Sequence, residues 1–228
     1  MCRKFCGKPA ARLTDAGRCD QSSRCVGEQE VQSDPKEHSD AQSDDGSLVL
    51  RGFAEIDESA FLEYISAWEL SGEVIVPSAT RRDGRSFDQM MKKWVEDETD
   101  AAVARGFVPA TLFFLQGTAG RLLGAIHFRH YLNDRLKANG GHIGYGVRPS
   151  ERKKGYARVM LTLLFKKLAD RNVERVLITC DDENAASARV IEKCGGVLEG
   201  KVVFEEVLTR RYWITIQRTD LNTARSTV

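Results

Sequence analysis

Residues 142–180 run through an apolar segment, a basic turn, an amphipathic helix and a second apolar segment in unbroken order, and few folds accept that order. Ala157, Met160, Leu161, Leu164 and Leu168 recur at steps of three and four, which gives the helix one buried stripe. Val176, Leu177, Ile178, Thr179 and Cys180, bounded by Asp181, Asp182 and Glu183, have the length and β-branching of a buried strand. With a strand ending at Val147, these segments predict a βαβ unit with parallel strands and a right-handed crossover.

The turn of that unit reads Gly146, Val147, Arg148, Pro149, Ser150, Glu151, Arg152, Lys153, Lys154, Gly155, Tyr156, Ala157. A helix start exposes backbone N–H groups and carries about half a positive charge, so acidic residues normally sit there. Arg152, Lys153 and Lys154 add positive charge instead, which suits a bound anion such as a diphosphate. The competing reading is a solvated helix entry, since short motifs have many chance matches. Asn184 and Ser187 open a further short helix carrying Ala188 and Ile191 and ending at Gly195 and Gly196, where both polar side chains can reach a ligand.

Upstream, Leu48–Phe53 reads as a first strand leading to a helix capped near Asp57, with Phe61, Leu62, Ile65 and Trp68 on one face. A capping box from Ser86 to Gln89 starts a second helix expected to bury Phe87, Met90, Met91, Trp94 and Val95. Between them residues 72–85, with Pro77 and Gly84, read as a long loop of the kind that lines a substrate cleft. Strands follow at Thr111–Gln116, Arg121–Tyr131 and Gly141–Val147, then at Lys201–Leu208 and Arg211–Ile216, the last two joined by a tight turn. Residues 1–47 are polar and aperiodic and are expected to form a disordered extension, leaving residues 48–228 as one domain.

In this setting Arg152, Lys153, Lys154, Gly155, Tyr156 and Ala157 match the acyl-CoA signature R/Q-x-x-G-x-G/A, and the chain over about residues 48–217 resembles the GNAT superfamily of N-acetyltransferases. The resemblance implies a mixed α/β (α+β) fold: a central sheet of about six or seven strands, parallel and antiparallel, flanked by about four helices. It further implies acetyl-CoA as cosubstrate, with main-chain N–H groups of Arg152 to Ala157 on the pyrophosphate and the side chains of Arg152 and Lys153 adding charge. Val147 and Arg148 would pair through their main chain with the pantetheine arm, and Asn184 and Ser187 fill the family's downstream polar positions. The fourth and fifth strands would splay to admit the thioester between Val147 and Cys180, and an amine would attack it directly.

The chain departs from the family pattern at the proton-transfer groups. Ile191 stands where a tyrosine acid is usual, and Gly141 and Ile143 stand where a titrating base is usual. His142 and Tyr145 are the nearby substitutes; His127 and His130 are weaker candidates. The activity expected is therefore acetyl transfer from acetyl-CoA to an amine of a small molecule or peptide. A non-catalytic acyl-CoA sensor is the alternative.

A formal net charge of +1 argues against nucleic acid as the main partner. No apolar run reaches membrane-spanning length and no secretory h-region opens the chain, so neither a membrane nor export is expected, and the location expected is cytoplasmic. A monomer or homodimer is expected. Cys2, Cys6, Cys19 and Cys25 lack the paired spacing of zinc knuckles, so no metal is assigned. Cys180 reads as a core residue and Cys194 as partly exposed. Glu96, Asp97, Glu98 and Asp100 read as a solvated helix end rather than an amine-attracting patch.

Overall fold

A computed structural model describes residues 48–217. The expectations for residues 1–47, including the four N-terminal cysteines, lie outside the described residues, as does the tail beyond residue 217.

Four antiparallel strands form one sheet in the order β1-β2-β3-β4, from β1 (Val49–Gly52), β2 (Ala110–Gln116), β3 (Leu122–Arg129) and β4 (Ile143–Val147). A second sheet has the order β5-β7-β6, from β5 (Arg175–Asp181), β6 (Val197–Phe204) and β7 (Val207–Thr215). The strand total is as expected, but the strands do not form one continuous sheet. β4 and β5, expected to be parallel strands that splay apart, share no ladder: the β3–β4 and β5–β7 pairings are antiparallel, and the two sheets touch where His142 N–H donates to Leu177 O.

Asp57 stands at the N-cap position of α1 (Glu58–Ser71) without a side-chain capping bond, and Ser86 and Gln89 close a full capping box on α2 (Phe87–Asp97), both helix starts falling where the sequence predicts. One-turn helices α3 (Ala101–Ala104) and α4 (Asp134–Ala138) were not foreseen, being too short to show a period. With α5 (Tyr156–Ala169) and α6 (Ala185–Lys193) they make six α-helices among the described residues, where about four were expected. Val95, expected to be buried on α2, is 55% exposed, because Met90 and Trp94 already fill the face that meets the core.

The first sheet carries a core on each face. On one side Phe61, Trp68, Met90, Trp94, Leu112 and Phe114 pack from α1, α2 and β2, with Phe61 edge-on to both Trp94 and Phe114. On the other side Met160, Leu161, Leu164 and Leu168 of α5 lie fully buried against Leu115, Ile126, Ile178 and Tyr212. At about 2 kcal/mol for each such side chain, this stripe anchors α5 to both sheets. Period-two alternation therefore sorts β3: Ile126 and Phe128 face α5, whereas Ala125, His127 and Arg129 face the α1/α2 side.

The β6–β7 turn falls at Glu205–Glu206, earlier than expected. Both residues have positive φ, as a type I′ hairpin requires, but neither is the Gly or Asn that would announce it.

Candidate functional site

His142 holds the point where the sheets diverge. Its N–H donates to Leu177 O at 2.7 Å, and its Nδ1 accepts from Leu177 N at 2.9 Å, so the imidazole stands in for a strand partner. Burial lowers its pKa, consistent with a neutral ring whose Nδ1 is already engaged. A Cβ on Gly141 would lie 2.4 Å from Leu177 O, which explains a glycine at this crossing.

Beyond that clasp, ladder alternation sets the main chain. Arg148 N donates to Leu123 O and Arg129 N to the His142 O, so even-numbered residues of β4 bond to β3. Ile143, Tyr145 and Val147 consequently turn their N–H and C=O groups away from β3, toward the gap. On β5 the same logic applies: Asp182 N donates to Leu208 O, so even positions bond to β7 and Thr179 faces its main chain into the gap. Arg148, expected to pair with pantetheine through its main chain, has its N–H committed to β3. Its side chain is 6% exposed and turns inward, where Nη2 donates to Glu63 of α1 at 2.8 Å. It is a strut beneath the turn, and its pull holds the Glu63 carboxyl below the usual range.

The turn itself places Lys153 at φ 66° and Gly155 at φ 87° before α5 begins. Gly155 occupies the cap position and has no side chain to donate to, so the first N–H groups of the helix stay uncapped. Among the described residues, none of the N–H groups of residues 153–157 donates to a protein acceptor. The cations are less free than the sequence suggests. Arg152 makes a two-pronged bond to Glu73 at 2.8 and 2.7 Å and lies over the Trp68 ring, and its own N–H leans on Pro149 O at 3.5 Å. Lys154 pairs with the buried Glu151, which also binds Arg121 at 2.7 Å. Lys153 is exposed and has no acidic partner among the described residues.

Across the gap, the Tyr145 hydroxyl and Ser187 Oγ are 2.8 Å apart, joining β4 to α6. Burial pushes the Tyr145 phenol up to about 12, so it is protonated. Cys180 is buried beside this pair, with its thiol pKa raised by burial. Asn184 caps α6 through its side-chain oxygen, accepting from Ser187 N at 3.0 Å, which leaves its amide N–H groups for other partners.

On the α1/α2 side a cleft of about 920 Å³ opens between the 72–86 loop, α2, the ends of β3, the α4 segment and the β6–β7 turn. The loop lines a cleft, as its Pro77 and Gly84 and lack of period suggest, through Ser78, Ala79, Asp83 and Arg85. Arg129 also lines it, a cation on the inward face of β3 that the sequence signals only by strand alternation. His127 lines this cleft, and burial drives its pKa down to about 3. His130 points the other way and pairs with Thr111 at 2.9 Å. The acidic run at the end of α2 is neutralised from within: Asp97 binds Lys93 and Arg105, and Glu96 binds Arg105. No helix of the described residues is long and apolar enough to cross a membrane, and no cluster of His, Cys, Asp and Glu among them could hold a metal.

Solved structures with this architecture include mutant forms of the spermidine/spermine N-acetyltransferase SpeG from Vibrio cholerae, 17% identical over 74% of this chain and 95% of that one, with a TM-score of 0.51. A dodecameric spermidine N-acetyltransferase from the same organism is 18% identical over 78% and 98%, with a TM-score of 0.53. RimL, a ribosomal L7/L12 α-N-protein acetyltransferase solved with coenzyme A, is 21% identical over 75% and 94%, with a TM-score of 0.52. At such identities the likeness is one of fold. No curated protein matches the chain. A family model for the acetyltransferase (GNAT) domain matches residues 47–197, a span that contains the turn, the diverging strands and α6. Since that match takes in well over half the chain, the protein belongs to the GNAT acetyltransferases.

Proposed function

We propose that the protein transfers an acetyl group from acetyl-CoA to an amine of a small molecule or peptide by direct attack in a ternary complex. The observation that carries this reading is the row of undonated N–H groups at residues 153–157, set below the gap into which Tyr145, Val147 and Thr179 turn their main chain. Such a row suits a diphosphate, and Lys153 adds the one uncommitted ammonium of the turn. Acetyl-CoA, when bound, supplies the activated thioester. Val147 N–H is the donor oriented to hold the carbonyl oxygen as charge develops on it. Arg148 and Arg152 support the turn through Glu63 and Glu73 rather than gripping phosphate with their side chains.

The two proton transfers differ in size. An alkylamine with pKa near 10.4 must lose a proton at a cost of about 4 to 5 kcal/mol at pH 7, whereas a thiol near 8.5 leaves at about half that cost. The amine's proton passes to water, and Tyr145, protonated and hydrogen-bonded to Ser187, donates to the departing thiolate and regains its proton from solvent. His142 is a positioning residue, since its Nδ1 is spent on Leu177.

Isothermal titration with acetyl-CoA, followed by free-thiol detection over a panel of amines, tests the reading; binding and thiol release are expected, and absence of acetyl-CoA binding would overturn it. Tyr145→Phe should lower kcat about 100-fold while leaving acetyl-CoA affinity within about twofold. Tight binding without thiol release on any amine would favour a non-catalytic acyl-CoA sensor, the reading that Ile191 in place of an acid supports.

A further inference from the structure

The cleft on the α1/α2 face is rich in charge, yet almost all of that charge is spent. Four arginines line it. Arg85 faces Asp83, Arg105 faces Glu96 and Asp97, and Arg135 faces Glu205. Arg129 has no acidic partner among the described residues. Instead, its Nη1 donates to Gly140 O at 2.8 Å and Gly141 O at 3.0 Å.

Those two bonds fix the plane of the guanidinium and consume one corner of it. Nε and Nη2, which make no hydrogen bond among the described residues, form the side-on edge that matches the two oxygens of a carboxylate. Burial lowers the pKa of Arg129, and no acid offsets that cost. The edge also lies at the reacting strand: an ideal Cβ on Gly144 would be 3.7 Å from Nη2. Gly144 is flanked on β4 by Ile143 and Tyr145, whose main chain faces the gap. His127, two residues before Arg129 on the same face, adds a neutral wall rather than a competing anion.

Resting on the acetyltransferase reading above, the geometry points to an acceptor that carries a carboxylate as well as its amine, with Arg129 holding the carboxylate side-on in this cleft. The class is an amino acid or an acidic peptide. A polycation fits poorly, because the cleft's acids are already paired with its own cations, and the charges left without an acidic partner among the described residues, half-buried Arg129 and exposed Lys92, are positive.

Matched acceptors settle it. Amino acids, the corresponding amino-acid amides and aliphatic diamines are titrated calorimetrically into the full chain in the presence of CoA, and the same compounds are assayed for thiol release with acetyl-CoA. The acids should bind at least tenfold more tightly than their amides and diamines. Arg129→Gln should shrink that preference to about twofold, chiefly through KM, with acetyl-CoA affinity retained. Should Arg129→Gln fail to fold, the preference in the unaltered protein and in Arg129→Lys, which keeps the charge and loses the fork, still decides. Equal or tighter binding of amides or diamines, or binding of none of the three sets, overturns the proposal. Tight binding of acids without thiol release would instead count against acetyl transfer and leave the carboxylate site standing.

Discussion

The two sides of β4 present opposite chemistries. Toward α5 the side-chain charges are largely cancelled, Arg152 by Glu73 and Lys154 by Glu151, while the N–H groups of residues 153–157 are left open. Toward the cleft, the main chain of β3 and of the even-numbered positions of β4 is tied into the ladder, and the Nε–Nη2 edge of Arg129 is left open among the described residues. A diphosphate is common to every donor molecule, so fixed main-chain dipoles can recognise it whatever the local side chains. An acceptor differs from one enzyme to the next, and a side chain is what substitution can change. On the proposed reading, acceptor choice belongs to the face of β3 that carries His127 and Arg129.

The sharpest way to break the contrast is to separate the two sides. Gly146 lies where the 72–86 loop presses on β4, and an added Cβ would sit 2.1 Å from Val76 O. Gly146→Ala must push backbone from backbone, so a loss of about 3 kcal/mol is expected in chemical denaturation, with both donor and acceptor binding impaired. If stability and binding survive, the loop does not brace the strand.

A smaller effect tests the cleft side alone. Burial places the His127 pKa at about 3 in the folded chain, below an unfolded value near 6.5, so the neutral ring is the native form. Its contribution is present above pH 6.5. As pH falls below that value, the unfolded chain takes up a proton that the folded chain refuses, until the loss levels off near pH 3. A decline of about 1 to 2 kcal/mol by pH 5 is expected from this one ring. His130 and His142, also lowered, add in the same direction. In thermal melts from pH 7 to 5, His127→Gln should flatten the slope; an unchanged slope would remove His127 from the account.

The smallest effect belongs to the donor side. Lys153→Ala should weaken acetyl-CoA binding by about two- to fivefold at low salt, and by less at high salt, as befits an exposed cation beside main-chain donors that carry most of the grip. A loss of a hundredfold would mean that side chains, not N–H groups, hold the diphosphate.

Local rules made much of this legible. Ser86 and Gln89 announce α2, Asp57 announces α1, and the stripe from Ala157 to Leu168 announces α5, because caps and periods are decided within a turn or two of chain. Gly155 within its signature likewise marks the left-handed entry to α5. The Glu205–Glu206 turn escaped because its residues carry no turn chemistry of their own; the pairing of Phe204 with Val207 imposes it.

By itself, then, the sequence determined which segments become helix or strand and where an uncapped helix mouth would lie, since those depend on neighbours a few residues away. Tertiary structure alone decided what the charges do. Arg152 meets Glu73, Arg148 meets Glu63 and His142 meets Leu177 across long stretches of chain, and only packing brings such partners within bonding distance. The same packing left Arg129 without an acid among the described residues, because electrostatic pairing depends on separation in space and not on order along the chain.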